Sequence, residues 1–306
     1  MRIGMIVGAD GVSRTLNDLV ASAQRLEALG FASIWMAQMM SFDAIGALTV
    51  IGHATKRVAL GTAVVPTYPR HPTSLAMQAL TAAAASGNRF TLGIGVSHKI
   101  VTESMLGFSY ARPAAHMREY LEVLQPLLRG ETVQHDGAEY HVHGVATTVP
   151  QAQPVPVLVA ALGPAMLQLT GQLADGTVTW MVGPKTMESH IVPTLAAAAQ
   201  RAGRPAPRVV GGFPVVLTNR PEDARERIAK QLTIYGQLPS YRAMLDREGA
   251  KGPADIALAG DENYLRGAIE RLRGIGVTDF NAAIAAADGD SAERTLQFLA
   301  SLTRKQ

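Results

Sequence analysis

The feature that most constrains this chain is an alternation. Short apolar runs return again and again, each followed by a longer stretch with apolar residues three and four positions apart. Apolar runs of this kind suit strands buried on both faces, and parallel strands need a crossover helix between them. The runs lie at Arg2 to Gly8, Ser33 to Ala37, Val58 to Val65, Phe90 to Gly95, Val155 to Ala160, Thr177 to Met181, Val209 to Leu217 and Asp279 to Ile284. Helical periodicity fills Leu16 to Leu29, Thr73 to Ser86, Ala114 to Leu128, Met166 to Leu173 and Tyr264 to Ile275. Gly30, Gly130 and Gly276 follow such stretches, where a left-handed C-terminal cap is expected. Eight strand and helix pairs predict an α/β chain folded as a (β/α)8 TIM barrel, although a doubly wound open sheet shares the local pattern. At 306 residues and 47% hydrophobic content, one barrel domain over residues 1–306 is the expectation.

Two segments depart from the rhythm. Between Glu131 and His143, Asp136-Gly137 sits among alternating residues and reads as a β-hairpin insertion with a tight turn. Between Pro221 and Gly260, two helical stretches flank the polar linker Gly236 to Ser240, so the seventh crossover is elongated.

Several function classes drop out. With no cysteine in the chain, disulfides, thiol chemistry and thiolate metal sites are excluded. No run approaches the roughly eighteen apolar residues of a membrane span, and the apolar start Met1 to Gly8 is too short for a signal sequence, so a cytoplasmic protein is expected. A net charge of +3 with arginines scattered among acids argues against nucleic acid as a partner. His135, His141 and His143 cluster near Asp136, but their spacing fixes no third ligand, and no metal is assigned.

In a barrel of this kind the reacting groups sit at the C-terminal ends of the strands. The third run ends Gly61-Thr62-Ala63-Val64-Val65-Pro66 and continues to Arg70-His71-Pro72; the fourth, from Asn88-Arg89-Phe90, ends Gly93-Ile94-Gly95-Val96-Ser97-His98. Taken together these segments resemble the luciferase-like superfamily of flavin and deazaflavin oxidoreductases. The resemblance continues through Gly130, through Pro154 to Gly163, and through Ala174-Asp175-Gly176. Ser97-His98 and Met105-Leu106-Gly107 are most similar to the branch that uses the deazaflavin coenzyme F420.

The resemblance implies a non-proline cis peptide between Ala63 and Val64, bulging against the cofactor ring, with Gly93 and Gly95 bringing backbone close to it. It also places cofactor phosphate near Gly163-Pro164-Ala165, a strand-to-helix junction whose exposed amides and positive helix end suit an anion. Ser97, Thr179 and Trp180 are expected to face the same site, with Gln38 at the end of the second run. Sugar-phosphate and alcohol dehydrogenases of the branch carry an acid and a histidine there, because oxidising a hydroxyl requires a general base. This chain has Gln38-Met39, and neither accepts a proton. The expected direction is therefore reduction, with hydride passing from reduced F420 to an activated C=C or C=N bond.

A reduction of this kind calls for a proton donor. His98 occupies a position where relatives place an acidic catalytic residue; Glu103 is the reserve, and His71 is expected to shape its loop or touch the coenzyme. Tyr68, Met39, Met40, Trp180 and Met181 point to an apolar mouth for a small-molecule substrate. The resemblance also implies a homodimer, and it leaves two alternatives: an FMN-dependent monooxygenase, and a barrel that binds flavin or deazaflavin without turnover.

Overall fold

The computed structural model describes residues 1–8, 15–286 and 289–303. Eight parallel strands close on themselves: β1 (Arg2–Val7), β2 (Ser33–Met36), β3 (Ala59–Thr62), β4 (Phe90–Gly95), β5 (Val157–Val159), β6 (Gly176–Trp180), β7 (Arg208–Leu217) and β8 (Asp279–Ile284). Each pairs with the next, and β8 pairs with β1, so the open-sheet alternative falls and the (β/α)8 barrel stands. Gly30, Gly130 and Gly276 have φ of +90°, +76° and +97°, the left-handed helix stops read from the sequence. Among the described residues no helix is long and apolar enough to cross a membrane.

The floor of the barrel is polar and tightly fitted. Arg208 holds the buried Asp279 through both nitrogens of its fork (3.0 and 2.9 Å), and Arg2 reaches the same carboxylate at 2.9 Å. Burial alone would raise the Asp279 pKa, but the two arginines and Thr278 hold it below the usual carboxylate value. The Arg208 guanidinium also lies over the Trp35 ring at 5.2 Å. Trp35, only 1% exposed, fills the barrel interior, and its indole N–H donates to Ser33 Oγ at 2.9 Å. A Cβ on Gly61 would lie 2.3 Å from that indole, so this glycine clears space for Trp35. Arg89 is likewise structural: it donates to the carbonyls of Gly52 (2.8 Å), Thr55 (2.9 Å) and Val58, tying the end of helix Ala44–Ala54 to β4.

Both insertions exist, with two corrections. The hairpin pairs Val133–Asp136 with His141–Val145, but Asp136 lies opposite His141, so the turn spans four residues. Glu119 decides its shape by accepting the amides of Ala138, Glu139 and Tyr140 at 3.1, 2.8 and 3.3 Å. In the seventh crossover the expected polar linker is mostly helical. Helices Pro221–Gln231, Thr233–Gln237 and Pro239–Glu248 follow one another, and only Leu238 breaks the last two. The residue before a proline is pushed out of the α region, and Leu238 precedes Pro239 with ψ of 125°.

Candidate active site at the barrel mouth

The expected site residues stand at the C-terminal ends of consecutive strands, from Gln38 after β2 round to Thr179 and Trp180 on β6. At β3 the regular strand stops at Thr62, the Ala63–Val64 peptide is cis, and a two-residue strand, Val65–Pro66, resumes beside Ile94 and Gly95 of β4. The third run expected over Val58 to Val65 is thus two pieces joined by a bulge. The bulge is held from both sides, Ala63 N donating to Met36 O (2.8 Å) and Gln38 N to Val64 O (3.0 Å). Thr62 Oγ1 donates to Gly93 O and accepts from Gly93 N, each at 2.7 Å. A Cβ on Gly93 would sit 1.9 Å from Thr62 O, and one on Gly95 would sit 2.9 Å from Val64 Cγ2. The protein's own packing therefore requires both glycines.

Behind this wall runs a buried relay that the sequence did not reveal. Thr67 N donates to Gly95 O at 3.0 Å, Thr67 Oγ1 lies 2.9 Å from His116 Nε2, and His116 Nδ1 lies 2.6 Å from Glu139 Oε2. The tautomer with its proton on Nδ1 satisfies both contacts, donating to Glu139 and accepting from Thr67. Burial drives the His116 pKa below its usual value even though Glu139 pulls it up. Tyr68 stacks on His116 with centroids 4.0 Å apart and planes 8° from parallel, and burial pushes its hydroxyl up to about 12. These residues come from a loop, a helix and the hairpin insertion, so no spacing pattern could have joined them.

The other side of the mouth is less filled. Ser97 (φ +58°) and Met181 (φ +50°) lie just past the ends of β4 and β6 in the left-handed region, which non-glycine residues occupy mainly where surrounding contacts hold them. Tyr110 donates its hydroxyl to Ser97 O at 3.2 Å. His98 follows, half-buried, its pKa lowered by that burial, its ring 5.8 Å from that of Tyr241. At pH 7 it is neutral, so it offers one N–H and one acceptor, while the protonated form appears only in acid. Glu103 is exposed; it accepts Tyr110 N at 3.2 Å and lies 3.8 Å from Lys99, which closes the loop after β4.

After β5, Gly163, Pro164 and Ala165 are exposed at the start of helix Pro164–Leu173. A Cβ on Gly163 would meet nothing within 4 Å among the described residues. Thr179 is buried with its hydroxyl on Val210 O at 3.3 Å, and Trp180 is half-buried with its ring over Gly212. The Gln38 carboxamide is already engaged: Oε1 accepts Ala44 N (2.9 Å) and Arg70 (3.2 Å), while Nε2 donates to Met39 O (3.0 Å). His71 caps helix Pro72–Ala85, accepting Thr73 N at 3.3 Å, so it shapes its loop. Met39 and Met40 are exposed, as expected, whereas Met181 is buried.

A family model described as luciferase-like monooxygenase matches residues 1–293. The chain belongs to that family. Among its relatives is a 5,10-methylenetetrahydromethanopterin reductase of Methanolobus tindarius, 29% identical over 259 residues, covering 84% of this chain and 78% of the relative. Another is a putative coenzyme F420-dependent oxidoreductase of Mycobacterium tuberculosis, 32% identical over 200 residues, covering 60% of this chain and 57% of the relative. The solved coenzyme F420-dependent tetrahydromethanopterin reductase of Methanopyrus kandleri shares the fold with a TM-score of 0.81 at 21% identity, covering 98% of this chain and 97% of that one. In this chain the segments on which the resemblance was read form the β3 bulge, the β4 glycines and the helix start after β5.

Proposed function

We propose that this family member is a coenzyme F420-dependent oxidoreductase working as a reductase, passing hydride from the reduced deazaflavin to an activated C=C or C=N bond of a small apolar substrate. The observation that carries the direction is at β2. The Gln38 carboxamide is fully committed to Ala44, Arg70 and Met39, and neither Gln38 nor Met39, which follow β2, can draw a proton from an alcohol. The F420-dependent relatives support the cofactor.

The residues present fit such a group. Gly163, Pro164 and Ala165 would receive its phosphate, since the exposed helix start has free amides and Gly163 leaves open space. Ala63 and Val64, backed by Gly93 and Gly95, form a rigid wall for a planar ring, with Gln38, Ser97, His98, Thr179 and Trp180 along the rim. When bound, the reduced deazaflavin supplies a hydride and cannot activate oxygen, because carbon replaces the reactive ring nitrogen. Of the two side chains after β4 expected to serve the reaction, His98 is half-buried and Glu103 is exposed.

The test is a titration of the purified protein with coenzyme F420 and with FMN. Trp180 stands at the rim and Trp35 is enclosed in the barrel floor, so quenching that disappears in Trp180→Phe reports binding at the mouth. Quenching by the deazaflavin and not by FMN supports the reading. The reverse pattern replaces it with the monooxygenase, and F420 binding without turnover on enones and imines replaces it with a non-catalytic barrel.

A further inference from the structure

His98 and Tyr241 meet across the mouth. His98 follows β4 and Tyr241 lies in the crossover after β7, three strands away round the barrel. Their ring centroids are 5.8 Å apart with planes at 53°, and Tyr235 braces Tyr241 from the side at 5.1 Å in an edge-on contact. The helix that carries Tyr241 is bolted down. At its far end Glu248 accepts the amides of Lys185 (3.1 Å) and Thr186 (2.7 Å), and Arg242 donates to the carbonyls of Ala250 (2.8 Å) and Lys251 (3.0 Å). Rigid support of this kind is what a binding group needs.

Both groups are unspent. Among the described residues, neither the Tyr241 hydroxyl nor the His98 ring has a hydrogen-bond partner, and both side chains are half-buried. By contrast Tyr110 donates to Ser97, Thr67 meets His116, and Gln38 accepts Ala44. The apolar Ile100, Met105 and Leu106 are exposed on the segment that follows His98. Two free donors beside apolar surface are suited to one polar atom on an otherwise apolar molecule.

We infer that Tyr241 and His98 together hold the carbonyl oxygen of an α,β-unsaturated ketone or aldehyde. This rests on the reductase reading and narrows it from C=C or C=N in general to the conjugated enone. In the step, the hydride from the reduced deazaflavin forms a new C–H bond at the β-carbon. The C=C electron pair moves to join the α-carbon to the carbonyl carbon, and the C=O pair moves onto oxygen. Tyr241 O–H and His98 N–H stabilise that oxyanion without giving up their protons, and water then delivers a proton to the α-carbon. Burial keeps the tyrosine protonated and the histidine neutral, so both remain donors at neutral pH.

The oxygen site is tested apart from the cofactor by titrating the protein alone with 4-nitrophenol, whose phenolic oxygen imitates the oxyanion. Tyr241→Phe keeps the ring packing and removes only the hydroxyl, and its dissociation constant should rise roughly tenfold, the loss of one hydrogen bond. Tyr235→Phe should bind as the wild type does. With reduced F420, 2-cyclohexenone should be turned over, and Tyr241→Phe should lower kcat/KM by about tenfold or more. Unchanged 4-nitrophenol binding in Tyr241→Phe, or an equal loss in Tyr235→Phe, overturns the inference. If F420 neither quenches Trp180 nor reduces 2-cyclohexenone while 4-nitrophenol still depends on Tyr241, the oxygen site stands and the reductase reading falls.

Discussion

Gly93 and Gly163 belong to neighbouring barrel strands, one within β4 and the other just past β5, and their surroundings are opposite. Around Gly93 the protein has filled every ångström: the β3 bulge leans in until Thr62 O occupies the place of a side chain. Around Gly163 there is open space at an exposed helix start. The same contrast separates the two sides of the mouth. The β3–β4 wall is interlocked by Thr62, by the Thr67–His116–Glu139 relay and by aromatic stacking, whereas on the side from His98 to Tyr241 those two side chains have no hydrogen-bond partner among the described residues. A glycine at a strand end is therefore two different signals, one of a fold that cannot spare room and one of a surface that leaves it.

Substitutions can break or sharpen this contrast. Gly93→Ala forces a Cβ into the Thr62 carbonyl, a backbone group that cannot step aside, and should cost about 3 kcal/mol or more; a thermal melt within a degree of the wild type would show that the wall is not tight. His116→Ala removes the middle of the relay and leaves Thr67 and Glu139 without their partner. Denaturant unfolding should register a loss of about 2 kcal/mol, and a loss near zero would mean that the hairpin is merely attached.

The same relay sets a pH dependence. His116 and His98 titrate below 6.5 in the folded chain, so the unfolded chain binds more protons once the pH drops under that value. Stability from this source is complete above about pH 6.5 and declines as pH falls through 6.5 toward the folded values. Asp279, whose pKa is held below 3.8, adds a second decline further into acid. Melting temperatures taken from pH 7.5 to 5 should fall, and the His116→Ala variant should fall less steeply; an equal slope would remove His116 from the account.

Two smaller effects test the barrel interior and the open side in turn. Asn281, on β8 beside Gly4 and Gly212 of the flanking strands, is buried, and among the described residues neither its carbonyl oxygen nor its amide nitrogen has a partner. Asn281→Val exchanges an unsatisfied amide for a strand-favouring apolar residue and should stabilise by about 1 kcal/mol, read by the same unfolding assay; destabilisation would show that the amide is satisfied in solution. Gly163→Ala should leave stability unchanged, because a Cβ meets nothing there. Its expected effect is on F420 affinity alone, measured by quenching of Trp180.

The barrel and its order of strands were legible in the sequence because burial on both faces writes itself as periodic apolar runs, and because Gly30, Gly130 and Gly276 mark helix ends by a local rule. The Ala63–Val64 cis bond and the helix start at Gly163 were legible through resemblance, since both lie within short contiguous motifs. What those motifs meant was less visible. Gly61 and Arg89 turned out to serve Trp35 and the end of helix Ala44–Ala54, partners far off in the chain. The Thr67–His116–Glu139 relay and the meeting of His98 with Tyr241 had no trace in the sequence, for they join segments 49, 23 and 143 residues apart. Local periodicity and capping chemistry act within a few residues, so one chain read by itself determines elements and their succession. Which side chains face one another across a closed barrel depends on the register of eight strands and the reach of two insertions, and that was decided only in the tertiary structure.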